Sequence, residues 1–189
     1  MSKNTSVKIK RALLSVSDKS GISELAKSLE NGGVEIVSTG GTLKHLADEG
    51  IKVKEVSDFT GSPEMMEGRV KTLHPKIHAG ILSRREKDLD EVKENFIEEI
   101  DLVVINLYPF EETVKKKVSL EETIENIDIG GPTMIRAAAK NFYYVTVLSS
   151  PENYSDFIDE FSENNEVSYE TRYELARKAF NKISEYDLA

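Results

Sequence analysis

The chain has 189 residues, 39% hydrophobic and 31% charged, which suits a globular protein long enough to enclose one core. A net charge of −9 and a pI near 5.0 argue against broad binding to nucleic acid or to an anionic membrane, yet leave room for a small local anion pocket. With no cysteine, disulfides, a thiol nucleophile and a Cys-ligated metal are excluded.

The first residues, Met1 to Ser6, lack the apolar core of a secretion signal, and no apolar run approaches the length of a membrane span. A cytoplasmic protein is expected. Ala12 to Val16 is a short apolar run and predicts a buried strand. Ser17 to Gly21 follows as a loop. Ile22, Leu25, Ala26 and Leu29 then recur at helical spacing, and Asn31-Gly32-Gly33 stops the helix. Val34 to Val37 is a second strand, Ser38 to Thr42 a loop, and Leu43, Leu46 and Ala47 a short helix ending at Gly50. Val53 and Val56 mark a third strand. This β-α-β-α-β alternation predicts a parallel sheet covered by helices, with ligands outside the carboxyl ends of its strands.

Residues 57–85 read as a long irregular passage, in which Pro75 argues against a continuous helix. Asp88 to Ile100 has the pattern of an amphipathic helix, and Leu102 to Ile105 that of a buried strand. Val114 to Val118 reads as a short helix with a solvated Lys115-Lys116-Lys117 face. Ser119-Leu120-Glu121-Glu122 resembles a capping box opening a helix through Ile127. Gly130-Gly131-Pro132 leads into an Ala-rich helix, Val145 to Leu148 is a last strand, and Pro151 to Phe161 and Ser168 to Tyr186 read as surface helices. The final helix meets Ala189 without a cap residue, as at a boundary within a longer protein. No repeat, low-complexity tract or linker is evident, so one domain over residues 1–189 is expected.

Gly68-Arg69-Val70-Lys71-Thr72-Leu73-His74-Pro75 groups two cations, a hydroxyl and a histidine in a segment without periodicity. Arg offers a planar fork and Lys a point charge, which together suit an anionic ligand; a solvated basic turn is the alternative. Ser38-Thr39-Gly40-Gly41-Thr42 joins a strand to a helix, where glycine backbone, hydroxyls and the helix dipole favour phosphate. It is neither a Walker sequence nor a dinucleotide fingerprint. Ser15, Ser17 and Lys19 lie at a neighbouring strand end, and Asn106-Leu107-Tyr108-Pro109 at another. His74 and His78 are four apart, but no third ligand is evident, so no metal site is expected; His45 reads as exposed. Lys71, Tyr108, Asp128 and Lys140 are the candidates for chemistry.

Five motifs in this order, from Ser15-Val16-Ser17-Asp18-Lys19 to Asp128-Ile129-Gly130-Gly131 and Lys140-Asn141, resemble the inosine monophosphate (IMP) cyclohydrolase domain of the bifunctional purine-biosynthesis enzyme. The resemblance runs from about Arg11 to the chain end. It implies a methylglyoxal-synthase-like, three-layer α/β/α fold with a mainly parallel sheet, a homodimer, and fusion to an AICAR formyltransferase domain absent from these residues. It implies dehydrative closure of 5-formamidoimidazole-4-carboxamide ribotide (FAICAR) to IMP without cofactor or metal. By motif, Ser15, Ser17, Lys19, Ser38, Thr39, Gly40, Gly41 and Thr42 would bind the nucleotide around its phosphate. Arg69, Val70, Thr72, Leu73, His74, Asn106, Leu107, Pro109, Ile129, Gly130 and Gly131 would line the rest of the substrate site, and Lys71, Tyr108, Asp128 and Lys140 would be catalytic. A non-catalytic nucleotide-sensing domain and methylglyoxal synthase share the fold and stay open as alternatives.

Overall fold

The computed structural model describes residues 5–108, 110 and 118–189. Strand β1 (Val7–Lys8) leads into β2 (Arg11–Val16), whose apolar run is buried almost throughout. Helix α1 (Ile22–Asn31) buries the face formed by Ile22, Leu25, Ala26 and Leu29. Strand β3 (Glu35–Ser38), helix α2 (Gly40–Asp48) and the two-residue strand β4 (Lys54–Glu55) complete the first alternation. Helices α3 (Val56–Thr60), α4 (Pro75–Leu82) and α5 (Leu89–Glu94) precede β5 (Leu102–Asn106), which is buried along its whole length. Then come α6 (Leu120–Glu125), α7 (Gly130–Lys140) and β6 (Thr146–Leu148). The chain closes with α8 (Tyr154–Asn164), β7 (Glu166–Val167) and α9 (Tyr169–Leu188).

Five strands form a parallel sheet in the order β4-β3-β2-β5-β6. Side chains alternate across it: Ala12, Leu14, Leu102 and Val104 pack with α1 and α8, whereas Leu13, Val103 and Ile105 pack with α4, α7 and α9. The result is the three-layer α/β/α arrangement expected, with a core on each face. Strand order reverses between β2 and β5, so the topological switch point lies between Ser17 and Asn106.

Several local expectations are corrected. The passage 57–85 contains α3 and α4, and Pro75 is the first residue of α4 rather than a breaker, because a proline at the first helical position sacrifices no internal hydrogen bond. The helix expected over 88–100 shrinks to α5: Phe96 takes φ 51° and stands 84% exposed, so the apolar spacing there does not reflect a buried face. Gly40 to Thr42 belong to the first turn of α2, not to a loop. Helix α9 is more than a surface helix, since Leu175, Ala176, Ala179 and Ile183 enter the core. The antiparallel pair β1–β7 was not foreseen. Residues 114–117 of the expected Val114–Val118 helix, with its lysine run, and Pro109 lie outside the described residues.

Candidate functional site

The carboxyl ends of β2, β3 and β5 face the same edge of the sheet, and a loop from the opposite direction closes over it. Its turn is tight: Met65 and Val70 exchange backbone hydrogen bonds of 2.9 and 3.2 Å around Met66, Glu67 and Gly68, whose φ values are 54°, 55° and 89°. Two consecutive non-glycine residues in the left-handed region are costly and are held only by the surrounding contacts. The next residues are thereby aimed at two different helices. A methyl group placed on Gly40, in the first turn of α2, would stand 3.6 Å from Lys71 Nζ. One placed on Gly130, in the first turn of α7, would stand 2.7 Å from Thr72 Oγ1. The N-cap residues of α2 and α7, Thr39 and Ile129, make no side-chain capping bond; the start of α2 is thus available to an anionic group, while at α7 the Asp128 carboxylate takes the Gly131 N–H.

The histidine of the motif works as a fastener. His74 Nδ1 accepts from the Lys76 N–H at 3.2 Å, capping α4, which leaves the proton on Nε2 to meet Ser62 Oγ at 3.1 Å. Burial lowers the His78 pKa, opposed by the nearby Thr72 backbone, and its Nε2 is buried without a hydrogen-bond partner among the described residues. His74 thus fastens the loop to α4. His45, expected to be exposed, is half-buried and meets Ser23 Oγ at 2.9 Å.

On the α2 side, several candidate phosphate ligands are committed to the scaffold. Ser38 Oγ donates to the Leu14 carbonyl at 2.7 Å, and Thr42 Oγ1 both donates to the Val16 carbonyl and accepts from its N–H at 3.0 Å. Lys19 Nζ turns back to the carbonyls of Val16 and Ser17, and burial lowers its pKa. Asn106 spans the switch point: its Oδ1 accepts from the Ser17 and Asp18 N–H groups at 2.6 and 2.9 Å, and its Nδ2 donates to the Asp18 carbonyl at 2.8 Å. Ser15 is half-buried beside it on β2. What remains uncommitted at this end, among the described residues, is the start of α2: the Thr39 hydroxyl, which makes no capping bond, and the backbone of Gly40 and Gly41. A cavity of about 280 Å³ opens there, lined by Thr39, Ser57, Ser62, Glu64 and Lys71 among others. A larger groove of about 730 Å³ between α1 and α8 contains none of the sequence motifs.

On the α7 side, Asp128 Oδ1 accepts from the Gly131 N–H at 2.8 Å. Burial pushes its carboxyl above the usual aspartate value, with that hydrogen bond pulling the other way. A methyl group on Gly131 would overlap Asp128 Oδ2 and come within 2.8 Å of Leu107 Cδ2, so only glycine lets the carboxylate lie against the helix.

Not every candidate converges. Lys140 is exposed and ends the 11-residue α7, which places it roughly 15 Å along the axis from Gly130 at 1.5 Å per residue. Within one chain it does not join Asp128, against the expectation that both serve one reacting centre. Arg69 points outward to an exposed ion pair with Glu125 on α6. Lys71 forms an ion pair with Glu64 at 3.0 Å, and Tyr108 is 55% exposed. Ile129 is also exposed, while Leu73 and Leu107 are half-buried. Sequence reasoning missed Glu64, which lies in a stretch without periodicity, and His78, set aside as half of an incomplete metal pair.

The chain is similar to known proteins along most of its length. Residues 21–133, which contain the α2 turn, the 68–74 loop and the α7 turn, match the model of the MGS-like domain. Residues 138–189 match that of the AICARFT/IMPCHase bienzyme. The bifunctional purine biosynthesis protein PurH of Acetivibrio thermocellus is 57% identical over 182 residues, 95% of this chain and 35% of that protein. PurH of Clostridium acetobutylicum is 57% identical over 181 residues, 95% of this chain and 36% of its own. The chain therefore spans about a third of the length of the curated relatives it matches. Among solved structures, the crystal structure of ForH is 38% identical, with a TM-score of 0.81 over 95% of both chains. A parallel sheet whose strand ends carry these motifs, at this level of identity, is that of the MGS-like domain family, and the chain belongs to it.

Proposed function

We propose that residues 1–189 form a single IMP cyclohydrolase domain that converts FAICAR into IMP and water, without cofactor or metal, as part of purine biosynthesis. A homodimeric, cytoplasmic enzyme acting beside a formyltransferase domain is the setting this reading implies. The observation that carries it is the 68–74 loop, which sets Lys71 against the first turn of α2 and Thr72 against that of α7. One end of the site then suits a phosphate, and the other a neutral centre that becomes an oxyanion.

The α2 end takes the unreacting phosphate on the Thr39 hydroxyl and on the backbone of Thr39, Gly40 and Gly41, with Lys71 and Lys19 supplying positive charge. At the α7 end, the carboxamide nitrogen of the substrate attacks the formyl carbon of the same molecule. An amide nitrogen is a poor nucleophile, so a base must take its proton as the bond forms, and Asp128 fills that role. The formyl oxygen becomes an oxyanion, stabilised by the N-terminus of α7 at Gly130 and by the Thr72 hydroxyl. Protonation gives a ring carbinolamine. Loss of the formamido N–H proton, with departure of the hydroxyl as water, leaves the C=N bond of the product. Protonated Asp128 can return its proton at this second stage; Lys71 and Tyr108 are the other donors. Lys140 has no part in this scheme within one chain.

Incubation of the protein with FAICAR, followed by chromatographic detection of IMP, tests this reading. Formation of IMP at a rate far above the spontaneous one is expected. A folded protein that leaves FAICAR unchanged, or that instead releases phosphate from dihydroxyacetone phosphate, would refute it.

A further inference from the structure

Tyr186 lies in the last turn of α9, far in sequence from every motif of the site. Its hydroxyl accepts the Asp128 backbone N–H at 2.7 Å. Its ring packs against Phe110, with centroids 6.1 Å apart and planes at 56°. The neighbouring Asp187 forms an ion pair with Arg136 on α7. One tyrosine therefore touches both the Asp128 turn and the segment that follows Tyr108, and an adjacent ion pair fixes it to α7.

From this geometry we infer that Tyr186 is a positioning residue for ring closure, holding the Asp128 turn so that Oδ2 faces the reacting amide. The inference rests on the reading of Asp128 as the base. Asp128 is held twice, at its main chain by Tyr186 and at Oδ1 by the Gly131 N–H, which leaves Oδ2 as its unassigned oxygen. Among the described residues the flanking positions are lightly packed: α6, which precedes the turn, buries no residue, and Ile127 and Ile129 are exposed, the latter bonded through its carbonyl to the Thr133 hydroxyl at 2.7 Å. A base displaced by even a fraction of an ångström loses much of its effect, because proton transfer requires a short, directed contact.

The test is Tyr186→Phe, which keeps the ring and removes only the acceptor, measured beside wild type, Asp128→Asn and the double variant. Expected are a kcat roughly tenfold lower, as for one lost orienting hydrogen bond, a KM within about twofold and a melting temperature lowered by no more than about 4 °C. In the Asp128→Asn background, the same change should reduce kcat no further, since there is no base left to position. Should Tyr186→Phe fail to fold, Phe110→Leu removes the ring contact that seats the tyrosine and should give a smaller loss of the same kind. Wild-type kcat in Tyr186→Phe, or an equal loss in both backgrounds, overturns the proposal while leaving the activity intact. Wild-type protein inert toward FAICAR overturns the functional reading first, and this proposal with it.

Discussion

At the scale of single residues, the site turns on Asp128. Its carboxyl is raised above the ordinary aspartate value chiefly by burial. As pH rises, the unfolded chain therefore releases this proton before the folded one does. Stability from this group is highest below the ordinary aspartate value, falls as pH climbs through the window up to the raised value, and stays lower above it. Asp128→Asn removes the buried charge, while its amide oxygen can still accept from Gly131. Near neutral pH the variant should melt on the order of 1–3 °C above wild type. That advantage should vanish in acid, where the wild-type carboxyl is protonated in both states. Thermal melts from acid to neutral pH check this, and a variant that melts below wild type at neutral pH would show that the carboxylate is net stabilising. The motif carrying Asp128 was legible in the sequence because Gly, Pro and Asp before an Ala-rich run signal a helix start. Its raised pKa was not, since that depends on how deeply the turn is buried.

At the scale of elements, the strand-to-helix alternation was readable because fully buried strands leave unbroken apolar runs and α1 a clean helical stripe. The errors lie where the pattern was ambiguous. Leu89, Val92, Phe96 and Ile100 are in helical step, but only Ile100 is buried, so spacing alone misrepresented the segment. Lys140 was grouped with the site through the motif resemblance, and α7 carries it and Gly130 to opposite ends of one helix. Close approach between elements was equally hidden. A methyl group at Gly80 on α4 would lie 2.5 Å from the Glu98 carbonyl oxygen. Alanine is intrinsically better than glycine in a helix by about 1 kcal/mol, but overpacking against backbone costs about 1–3 kcal/mol, so the steric term should win. Gly80→Ala is expected to lower stability in denaturant titrations with kcat little changed, and an increase in stability would contradict this packing. Gly131→Ala presses instead on Asp128 Oδ2, and should reduce kcat by about 10²-fold or more, since it displaces the base itself. The two glycine variants assayed together separate scaffold from site.

At the scale of the whole molecule, the two ends of the chain are joined through Arg172, which is fully buried. Its guanidinium donates to the carbonyls of Val167, Phe142, Tyr143 and Thr5, the last two from Nη2 at 3.3 and 2.9 Å. It thus ties the region around the β1–β7 pair to the turn after α7, a long-range contact with no signal in local sequence. Arg172→Met would remove the donor of the buried Val167 carbonyl and of three part-buried ones, worth together several kcal/mol at about 1–3 kcal/mol for each group left fully unpaired. A melting temperature roughly 6–12 °C lower is expected, with near-normal kcat well below the transition; a loss of under about 2 °C would show that other partners satisfy these carbonyls. On the proposed reading, the site divides into an α2 end that would hold phosphate, equally in substrate and transition state, and an α7 end where protons and charge would move. Contacts of the first kind should act on KM, and those of the second on kcat. The most direct test is therefore kcat measured beside IMP affinity for Thr39→Ala and Asp128→Asn. Thr39→Ala should raise KM and weaken IMP binding with kcat largely kept, whereas Asp128→Asn should bind IMP normally and lose about 10²-fold or more in kcat. An Asp128→Asn protein that retains wild-type kcat, or is inactive only because IMP no longer binds, would contradict the account at its centre.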